Sequence, residues 1–177
     1  SKSVPAGKTT KIGVWEDGKF IGVIIYARGS NKHIGAPFNL DQTQVIELVR
    51  VALTSHKSQV SKIIAISIRF IKEFSSGIRL VVSFADSGQG HHGGIYQAGN
   101  WIYSGNGTTD QRSQPYKRNG VIAHWRTVAS ELTKKRISAT IIGAKKIGWE
   151  PQGKNIKYRY LMPLDDDMRK QIAPLAK

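Results

Sequence analysis

The chain has 177 residues, of which 27 are lysine or arginine and 12 are aspartate or glutamate, so its net charge is +15. This length, with 40% hydrophobic residues, is typical of one globular domain with a sizeable core, and no apolar run is long enough to span a membrane. The absence of cysteine excludes disulfides, thiolate catalysis and cysteine-bound zinc, and the charge indicates a polyanionic partner, with nucleic acid the leading candidate.

The first half of the chain predicts a hairpin, a central strand and a helix. Residues 11–16 and 19–27 are predicted strands, because the Asp-Gly pair between them favours a tight turn. Residues 44–53 are rich in β-branched side chains and favour a third strand. Apolar residues recur at helical spacing over 60–74, which predicts a helix packed on a sheet.

The middle of the chain is punctuated by glycines. Residues 78–84 are a continuous apolar run and predict a buried strand, which is followed by a second helix over 92–103. Residues 104–120 contain three glycines and a proline and are predicted to be a loop. The pattern over 121–132 fits a helix or a strand equally well.

The last third predicts two strands, 138–148 and 156–163, and then a helical tail. The order of elements describes an α/β (α+β) fold with a mixed central sheet flanked by helices. One fold with this order is the GNAT acyltransferase fold, in which the helix after the central strand presents its N-terminus to a cofactor pyrophosphate. This analogy predicts a fold and not a function.

Residues 81–101 have the composition of a functional site. An apolar run ends at Asp86, and the nine residues from there contain two histidines, a glutamine and four glycines. A buried strand that leads through a polar elbow into a helix is where α/β folds bind ligands. The alternative is a tight turn whose glycines only relieve backbone crowding.

Within this elbow, Asp86 is a candidate base, metal ligand or orienting group, and its alternative role is to cap the next helix. His91 is a second catalytic candidate. His91 and His92 would point about 100° apart on a helix, so one of them could bind a metal together with Asp86, while the other could face a DNA phosphate or cap the helix. The chain has no His-x-x-x-His pair, so the residues alone give little indication of a metal site.

Tyr96 and Asn100 are four residues apart and would share a helix face, with Tyr103 next along it. A tyrosine there could donate a proton to a departing thiolate, or it could pack in the core. Arg50 lies in an apolar strand and needs a partner, which could be an anionic donor, a DNA phosphate or a nearby carboxylate. Ser58 and Ser61 open the long helix, where free amides suit a pyrophosphate and where ordinary capping is the alternative.

Basic residues and aromatic residues alternate in the second half of the chain. Residues 112–136 contain seven basic residues and one acidic residue, a pattern that suits a phosphate track with base stacking or, alternatively, a solvated basic face. Candidate DNA-binding residues are Arg112, Tyr116, Lys117, Arg118, Trp125, Arg126, Lys145, Lys146 and Arg159.

The run 84–101 resembles the Mom proteins of Mu-like bacteriophages, and residues 4–8, 47–50, 157–160 and 162–164 resemble them as well. The resemblance implies a GNAT-like enzyme that converts adenine in duplex DNA to an N6-carbamoylmethyl-type adenine in the host cytoplasm and so blocks restriction. It also implies acetyl-CoA or a related acyl-CoA donor, and an iron ion for which Asp86 is a candidate ligand. Candidate donor-binding residues are Arg50, Leu53, Ser58, Val60, Ser61 and Tyr103.

The chain departs from the family pattern in two places. The family has a strand and a helix, with a histidine-containing segment, before the position of Ser1, so residues 1–177 are expected to be one GNAT-like domain that lacks that segment. The loop 55–61 contains no glycine, whereas acetyltransferases usually have a glycine-rich pyrophosphate loop there. Two alternatives stay open: a conventional N-acetyltransferase acting on protein or small amines, and a non-catalytic DNA-binding protein.

Overall fold

A computed structural model describes residues 8–28, 33–87, 90–107, 114–153 and 156–177. The chain divides into two compact units. Unit 1 comprises residues 1–85, 91–105 and 158–177, and unit 2 comprises residues 86–90 and 106–157. The sequence-based assignment of one GNAT-like domain stays a prediction.

The described residues form nine strands and five α-helices. The strands are β1 (Thr9–Glu16), β2 (Lys19–Ala27), β3 (Val45–Leu53), β4 (Leu80–Asp86), β5 (Ile102–Asn106), β6 (Tyr116–Arg118), β7 (Val121–Ala123), β8 (Glu150–Pro151) and β9 (Lys157–Pro163). The helices are α1 (Val60–Phe74), α2 (Gly94–Gln97), α3 (Trp125–Lys134), α4 (Ile141–Lys146) and α5 (Asp166–Ile172).

A mixed six-stranded sheet, counted over the described residues, organises unit 1 in the order β1-β2-β3-β4-β9-β5. β1, β2 and β3 pair antiparallel, and β3 and β4 pair parallel through the crossover made by α1. The predicted α/β class with a mixed central sheet is confirmed. Among the described residues, no helix combines the length and the apolar character that crossing a bilayer requires.

Helix α1 forms where its periodicity predicts, because Ile63, Ile64, Ile68 and Ile71 all fall on the face that is buried in the core of unit 1. Ser67 lies on the same face, and its hydroxyl is 2.6 Å from the Tyr26 hydroxyl. The buried polar atoms on this face are therefore paired, which is what a dry core requires.

Helix α5 closes the other side of unit 1. The Asp165 carboxylate accepts the Met168 amide at 2.7 Å and caps the helix, while both of its oxygens accept the Arg79 guanidinium at 2.8 Å. Met168 and Ile172 are fully buried in a second apolar cluster. The predicted C-terminal helix is therefore confirmed.

Two predicted elements are wrong. The helix predicted over 92–103 lasts only four residues, because the chain reverses at Asn100, whose φ of 58° is left-handed, and then enters β5. The strand predicted over 138–148 is the helix α4, since Thr140 accepts the Gly143 amide at 3.0 Å and starts a helical turn. The predicted loop 104–120 contains the end of β5 and all of β6.

Unit 2 has its own small core. The strands β7, β6 and β8 form a sheet in that order, and α3 and α4 belong to the same unit. The buried members of this core are Tyr116, Val128, Leu132, Ala144 and Trp149. His124 caps α3 by accepting the Arg126 amide at 3.2 Å, and partial burial lowers the pKa of its imidazole, which favours the neutral form that can accept.

Candidate functional site

Asp86 lies at the end of a buried strand, as predicted. Val81, Val82 and Ser83 are fully buried, whereas Asp86 is half-buried and already has an interaction partner. Asp86 does not cap α2, because the N-cap of that helix is Gly93. The capping alternative is therefore excluded for this helix, and a role for the carboxylate in binding or chemistry stays a prediction.

The elbow after Asp86 is held by short contacts. In unit 2, the Ser87 amide donates to the Ile156 carbonyl, and the Ile156 amide donates to the Ser87 hydroxyl, both at 3.0 Å. In unit 1, Gly93 has a φ of 75°, and a Cβ there would collide with the ring and hydroxyl of Tyr160. Glycine at this position therefore has a packing reason of its own.

The two histidines are exposed and precede α2, so neither has the helical geometry that the sequence predicted. The His92 carbonyl accepts the Tyr160 hydroxyl at 3.4 Å, which holds the backbone and leaves the imidazole at the surface. His91 remains a catalytic candidate, and its exposure to solvent is the one structural observation that agrees with this role.

Tyr96 is a core residue, 8% exposed, and its ring packs against Trp101 and Tyr160 with centroid distances of 5.1 and 5.0 Å. Its hydroxyl lies 2.8 Å from the Ser83 hydroxyl. Burial raises the pKa of Tyr96, which makes it a weaker proton donor than an exposed phenol. This geometry favours packing over proton donation.

Asn100 and Tyr103 do not continue a helix face from Tyr96, and that prediction is wrong. Asn100 is an exposed turn residue in the left-handed region, while Tyr103 lies in β5 and contacts Tyr158 and Tyr160. The helical stripe ends because Asn100 turns the chain before a second turn of helix can form.

An open groove of about 440 Å³ lies in unit 1 between the start of α1 and α2. Three of the predicted donor-binding residues, Ser58, Val60 and Ser61, line it. The other lining residues are His56, Lys57, Gln59, Gly94, Ile95 and Ala98. The predicted residues Arg50 and Leu53 lie in β3 outside this lining, where Arg50 has a partner and Leu53 packs on the core.

A carboxylate already binds the loop that precedes α1 and lines this groove. The oxygens of Glu16 accept the backbone amides of Lys57 and Ser58 at 2.7 and 2.8 Å, and the Ser58 side chain also binds it. These three hydrogen bonds lower the pKa of Glu16 to about 2. Lys57 is paired with Asp17 at 2.9 Å. The backbone here binds a carboxylate, which is the chemistry expected of an anion site.

An acyl-CoA donor therefore fits the groove only in part. Gln59 is the N-cap residue of α1, and its side chain does not hydrogen-bond the first amides of the helix. Gln59 also lines the groove, so the N-terminus of α1 lies at the groove without a side-chain acceptor from this residue. The neighbouring amides of Lys57 and Ser58 are bound to Glu16, and a donor phosphate would have to replace that carboxylate to use them.

The described residues offer no ligand set for iron. No group of three or more histidine, aspartate or glutamate side chains converges anywhere in the part of the chain that the structure describes. Asp86 alone does not make a metal site, and among the described residues it has no second and third ligand of this kind beside it.

Positive charge is concentrated in unit 2. Its 57 residues include eleven basic and four acidic ones, whereas the 120 residues of unit 1 include sixteen basic and eight acidic ones. The predicted residues Lys117, Arg126, Lys145 and Lys146 are all exposed. Arg126, Ser130 and Lys134 are spaced by four residues along α3 and line one shallow surface depression. Glu131 also lines it, and its carboxylate is paired with Arg118 and Lys135. Cations and hydroxyls in that arrangement suit DNA phosphates.

Three other predicted DNA-binding residues make contacts within the protein that bury them wholly or in part. Tyr116 is 0% exposed, so the prediction that it contacts DNA is wrong for this conformation. Arg118 donates to Glu131 at 2.8 Å and lies over the Trp149 ring at 4.3 Å. Trp125 is half-buried, with its ring 5.3 Å from that of Tyr116.

Arg159 belongs to unit 1, where its Nε donates to the Ser104 hydroxyl at 2.8 Å and its guanidinium lies over the Phe38 ring at 5.5 Å. Burial lowers the pKa of Arg159. These contacts favour a structural role over a phosphate contact. Arg112 lies outside the described residues.

Sequence reasoning missed Glu16 and Glu131. Glu16 lies beside the turn of the first hairpin and reads as an ordinary turn carboxylate, because its partners are more than forty residues away. Glu131 was visible as the one acidic residue among seven basic ones in 112–136, and that isolation could have marked it as the centre of an ion-pair cluster.

Comparison with known proteins bears on the whole chain at once. The family model of the Mom protein family matches residues 1–177, and a search of curated proteins gives no significant match. Mom proteins modify adenine in phage DNA and protect it from restriction, so the partner on which the family acts is DNA. With the match covering every residue, this chain belongs to the Mom protein family.

Proposed function

We propose that this protein transfers a donor-derived group to the N6 amino group of adenine in duplex DNA, and that the product is an N6-carbamoylmethyl-type adenine. The observation that carries the proposal is the family match over residues 1–177. The concentration of cations in unit 2 supports it, because a duplex is the polyanion that such a surface binds.

The adenine N6 amino group takes part in base pairing, so an enzyme that modifies it has to extrude the base from the stack. In our proposal, unit 2 holds the phosphates through Lys117, Arg126, Lys145 and Lys146, which are exposed. Asp86 orients or deprotonates the reacting amine, a role suited to a half-buried carboxylate at a strand end.

Attack of the N6 amine on the carbonyl of an acyl-CoA expels the CoA thiol and gives an N6-acyl adenine. A carbamoylmethyl group is instead joined through its methylene carbon and ends in an amide, so its formation also needs a co-reactant that supplies the amide nitrogen. The groove between α1 and α2 is the proposed site for the acyl-CoA. Ser58, Val60 and Ser61 line it at a helix N-terminus, where backbone amides favour phosphate. Tyr96 acts as a positioning residue in this scheme, because it packs the elbow against Trp101 and Tyr160 rather than reaching the surface.

Mass analysis of nucleosides from plasmid DNA tests the proposal directly. Cells that express the full-length protein should contain a new adenine adduct, and Asp86→Asn should abolish it while leaving DNA binding intact. Glu73→Gln is the matched control, since Glu73 is an exposed carboxylate of α1 outside the proposed site. Unmodified DNA with intact binding would instead favour a DNA-binding protein without transferase activity.

A further inference from the structure

The hairpin β6–β7 combines rigidity with an apolar tip. Arg118 pairs with Val121 across a two-residue turn in which Asn119 and Gly120 have φ values of 49° and 79°. Two successive positive φ values define the tight hairpin turn whose twist matches the strands. The tip is therefore held in one shape rather than being a loose loop.

The base of this hairpin is anchored in the core of unit 2. Tyr116 is fully buried, and Arg118 is fixed by Glu131 and by the ring of Trp149. Alternation along the strand then places Lys117 on the opposite, exposed face, next to its cross-strand partner Ile122.

Ile122 and Val121 are 68% and 61% exposed, although both are large and apolar. Single exposed apolar residues are common on protein surfaces. Two adjacent ones on a rigid tip, within the unit that carries eleven basic and four acidic residues, call for a partner that is both anionic and able to accept an apolar side chain.

Duplex DNA is such a partner, because proteins that deform it insert isoleucine, leucine or phenylalanine between base steps while cations hold the phosphates. Lys117 and Arg126 are exposed and form no ion pair with any described residue, so they are available for phosphates. Glu150 of β8 is the cross-strand neighbour of Lys117 in the sheet register, on the side of β6 away from β7.

The hairpin β1–β2 provides a contrast. It also has a tight turn and exposed apolar residues, Trp15 and Phe20, whose rings lie 5.1 Å apart. Its turn carries Glu16 and Asp17, and a backbone phosphate approaching that tip would meet two carboxylates. Charge complementarity therefore selects β6–β7 as the element for DNA.

We propose that the hairpin β6–β7 is a wedge that inserts Ile122 into the base stack of the duplex and promotes extrusion of a base. This inference rests on the proposed function, because a wedge is needed only if a paired adenine must leave the stack. The insertion compensates for lost stacking by placing an apolar side chain between the bases.

The test uses the full-length protein and a DNA duplex in which adenines are replaced by 2-aminopurine, whose fluorescence rises when it unstacks. Ile122→Ala and Ile122→Thr should lower the fluorescence rise at saturating protein by roughly fivefold or more, while the Kd for the duplex changes by less than about threefold. Ile122→Thr keeps the β-branched shape, so both losses together exclude a strand-propensity effect. Ile122→Leu should retain the rise.

Two controls make the result specific. Ile142→Ala removes an isoleucine of similar exposure, 71%, from α4 of the same unit and should change neither the fluorescence rise nor the Kd. Lys117→Ala should weaken binding and reduce the salt slope of log K by about one, with the fluorescence at saturation retained.

The outcomes separate the two proposals. If the wild type forms the adenine adduct and unstacks the duplex, and Ile122→Ala does both as well, the wedge is overturned and the proposed function stands. If Ile142→Ala loses as much as Ile122→Ala, the wedge is also overturned. If the wild type neither modifies adenine nor unstacks DNA, the proposed function fails and the wedge fails with it.

Discussion

Glu16 and Ser58 are bound to each other across 42 residues of sequence: the carboxylate accepts the Ser58 amide at 2.8 Å and also binds the Ser58 side chain. The contact joins the first hairpin to the loop before α1. It places a negative charge on the backbone amides of Lys57 and Ser58, two residues that line the groove that we propose for the donor. Glu16 and a donor phosphate would therefore compete for the same amides.

Removing the Glu16 carboxylate should strengthen donor binding. In Glu16→Ala the amides of Lys57 and Ser58 lose their acceptor and a repulsive charge disappears, so the affinity for CoA should rise by roughly three- to tenfold. Isothermal titration calorimetry of the full-length protein with CoA measures this. Asp41→Ala, which removes an exposed carboxylate bound to Thr43 in another loop, is the control. An unchanged affinity would mean that the donor does not use these amides.

The ion-pair cluster around Glu131 should make unit 2 sensitive to acid. Hydrogen bonds from Arg118, Trp149 and Lys135 lower the pKa of Glu131 from 4.5 to about 2. A carboxyl whose pKa is depressed on folding stabilises the native state above its unfolded pKa, and this contribution is lost as the pH falls through its folded pKa.

Glu131→Gln should therefore lower Tm at pH 7 and make Tm less dependent on pH between about 4.5 and 2 than in the wild type. Thermal melts followed by circular dichroism at a series of pH values measure both effects. Glu150→Gln, an exposed carboxyl of the same unit, should leave the pH profile unchanged. Parallel profiles for the wild type and Glu131→Gln would contradict the assignment.

Gly93 is required by the packing of the elbow. A side chain there would collide with Tyr160 and would hold an unfavourable φ of 75°, so Gly93→Ala should lower the free energy of unfolding by about 2–4 kcal/mol. Gly94 is the natural control, since a Cβ at Gly94 meets nothing within 4 Å. Gly94→Ala should change the free energy of unfolding by less than about 0.5 kcal/mol. Urea titrations of the two variants distinguish them.

Two variants of Tyr96 distinguish a packing role from proton donation. Tyr96→Phe keeps the contacts with Trp101 and Tyr160 and loses only the contact with the Ser83 hydroxyl, so it should cost about 1 kcal/mol of stability and retain adduct formation. Tyr96→Ala should cost about 3–5 kcal/mol because it leaves a cavity. A stable Tyr96→Phe protein that forms no adduct would restore Tyr96 as a proton donor.

Two arginines that look alike in sequence should behave differently. Arg126 is exposed on α3, and Arg126→Ala should weaken DNA binding and reduce the salt slope by about one. Arg159 is fixed by Ser104 and Phe38, so Arg159→Ala should lower Tm and leave the salt slope unchanged. Binding isotherms at several salt concentrations, with a melt of each variant, test the pair. A reduced salt slope in Arg159→Ala would mean that Arg159 contacts a DNA phosphate.

The parts of the fold that the sequence predicted are those where periodicity is strong. Val60–Phe74 and the hairpin of β1 and β2 were predictable because their apolar residues match one period and Asp17-Gly18 marks the turn. The helix predicted over 92–103 was wrong because one residue, Asn100, reverses the chain, and the apolar pattern gives no sign of that reversal.

For the candidate site, the sequence predicted which segments contain it and not how their side chains are buried or paired. The strand end at Asp86 and the loop with Ser58 were identified from local composition, and the structure has them there. The burial of Tyr116 and the capture of Arg118 and Arg159 by partners 13 to 55 residues away depend on tertiary contacts, which a list of charges and aromatics does not contain.

Residues 107–156 connect β5 to β9, two neighbouring strands of the six-stranded sheet. β5 ends at Asn106 and β9 begins at Lys157, the two strands are neighbours, and the Gly107 amide donates to the Lys157 carbonyl at 2.6 Å. An insertion whose two ends emerge side by side can be lengthened or exchanged without disturbing the pairing of the strands that carry it. We therefore expect residues 107–156 to vary in length and sequence among relatives more than the strands β5 and β9 do.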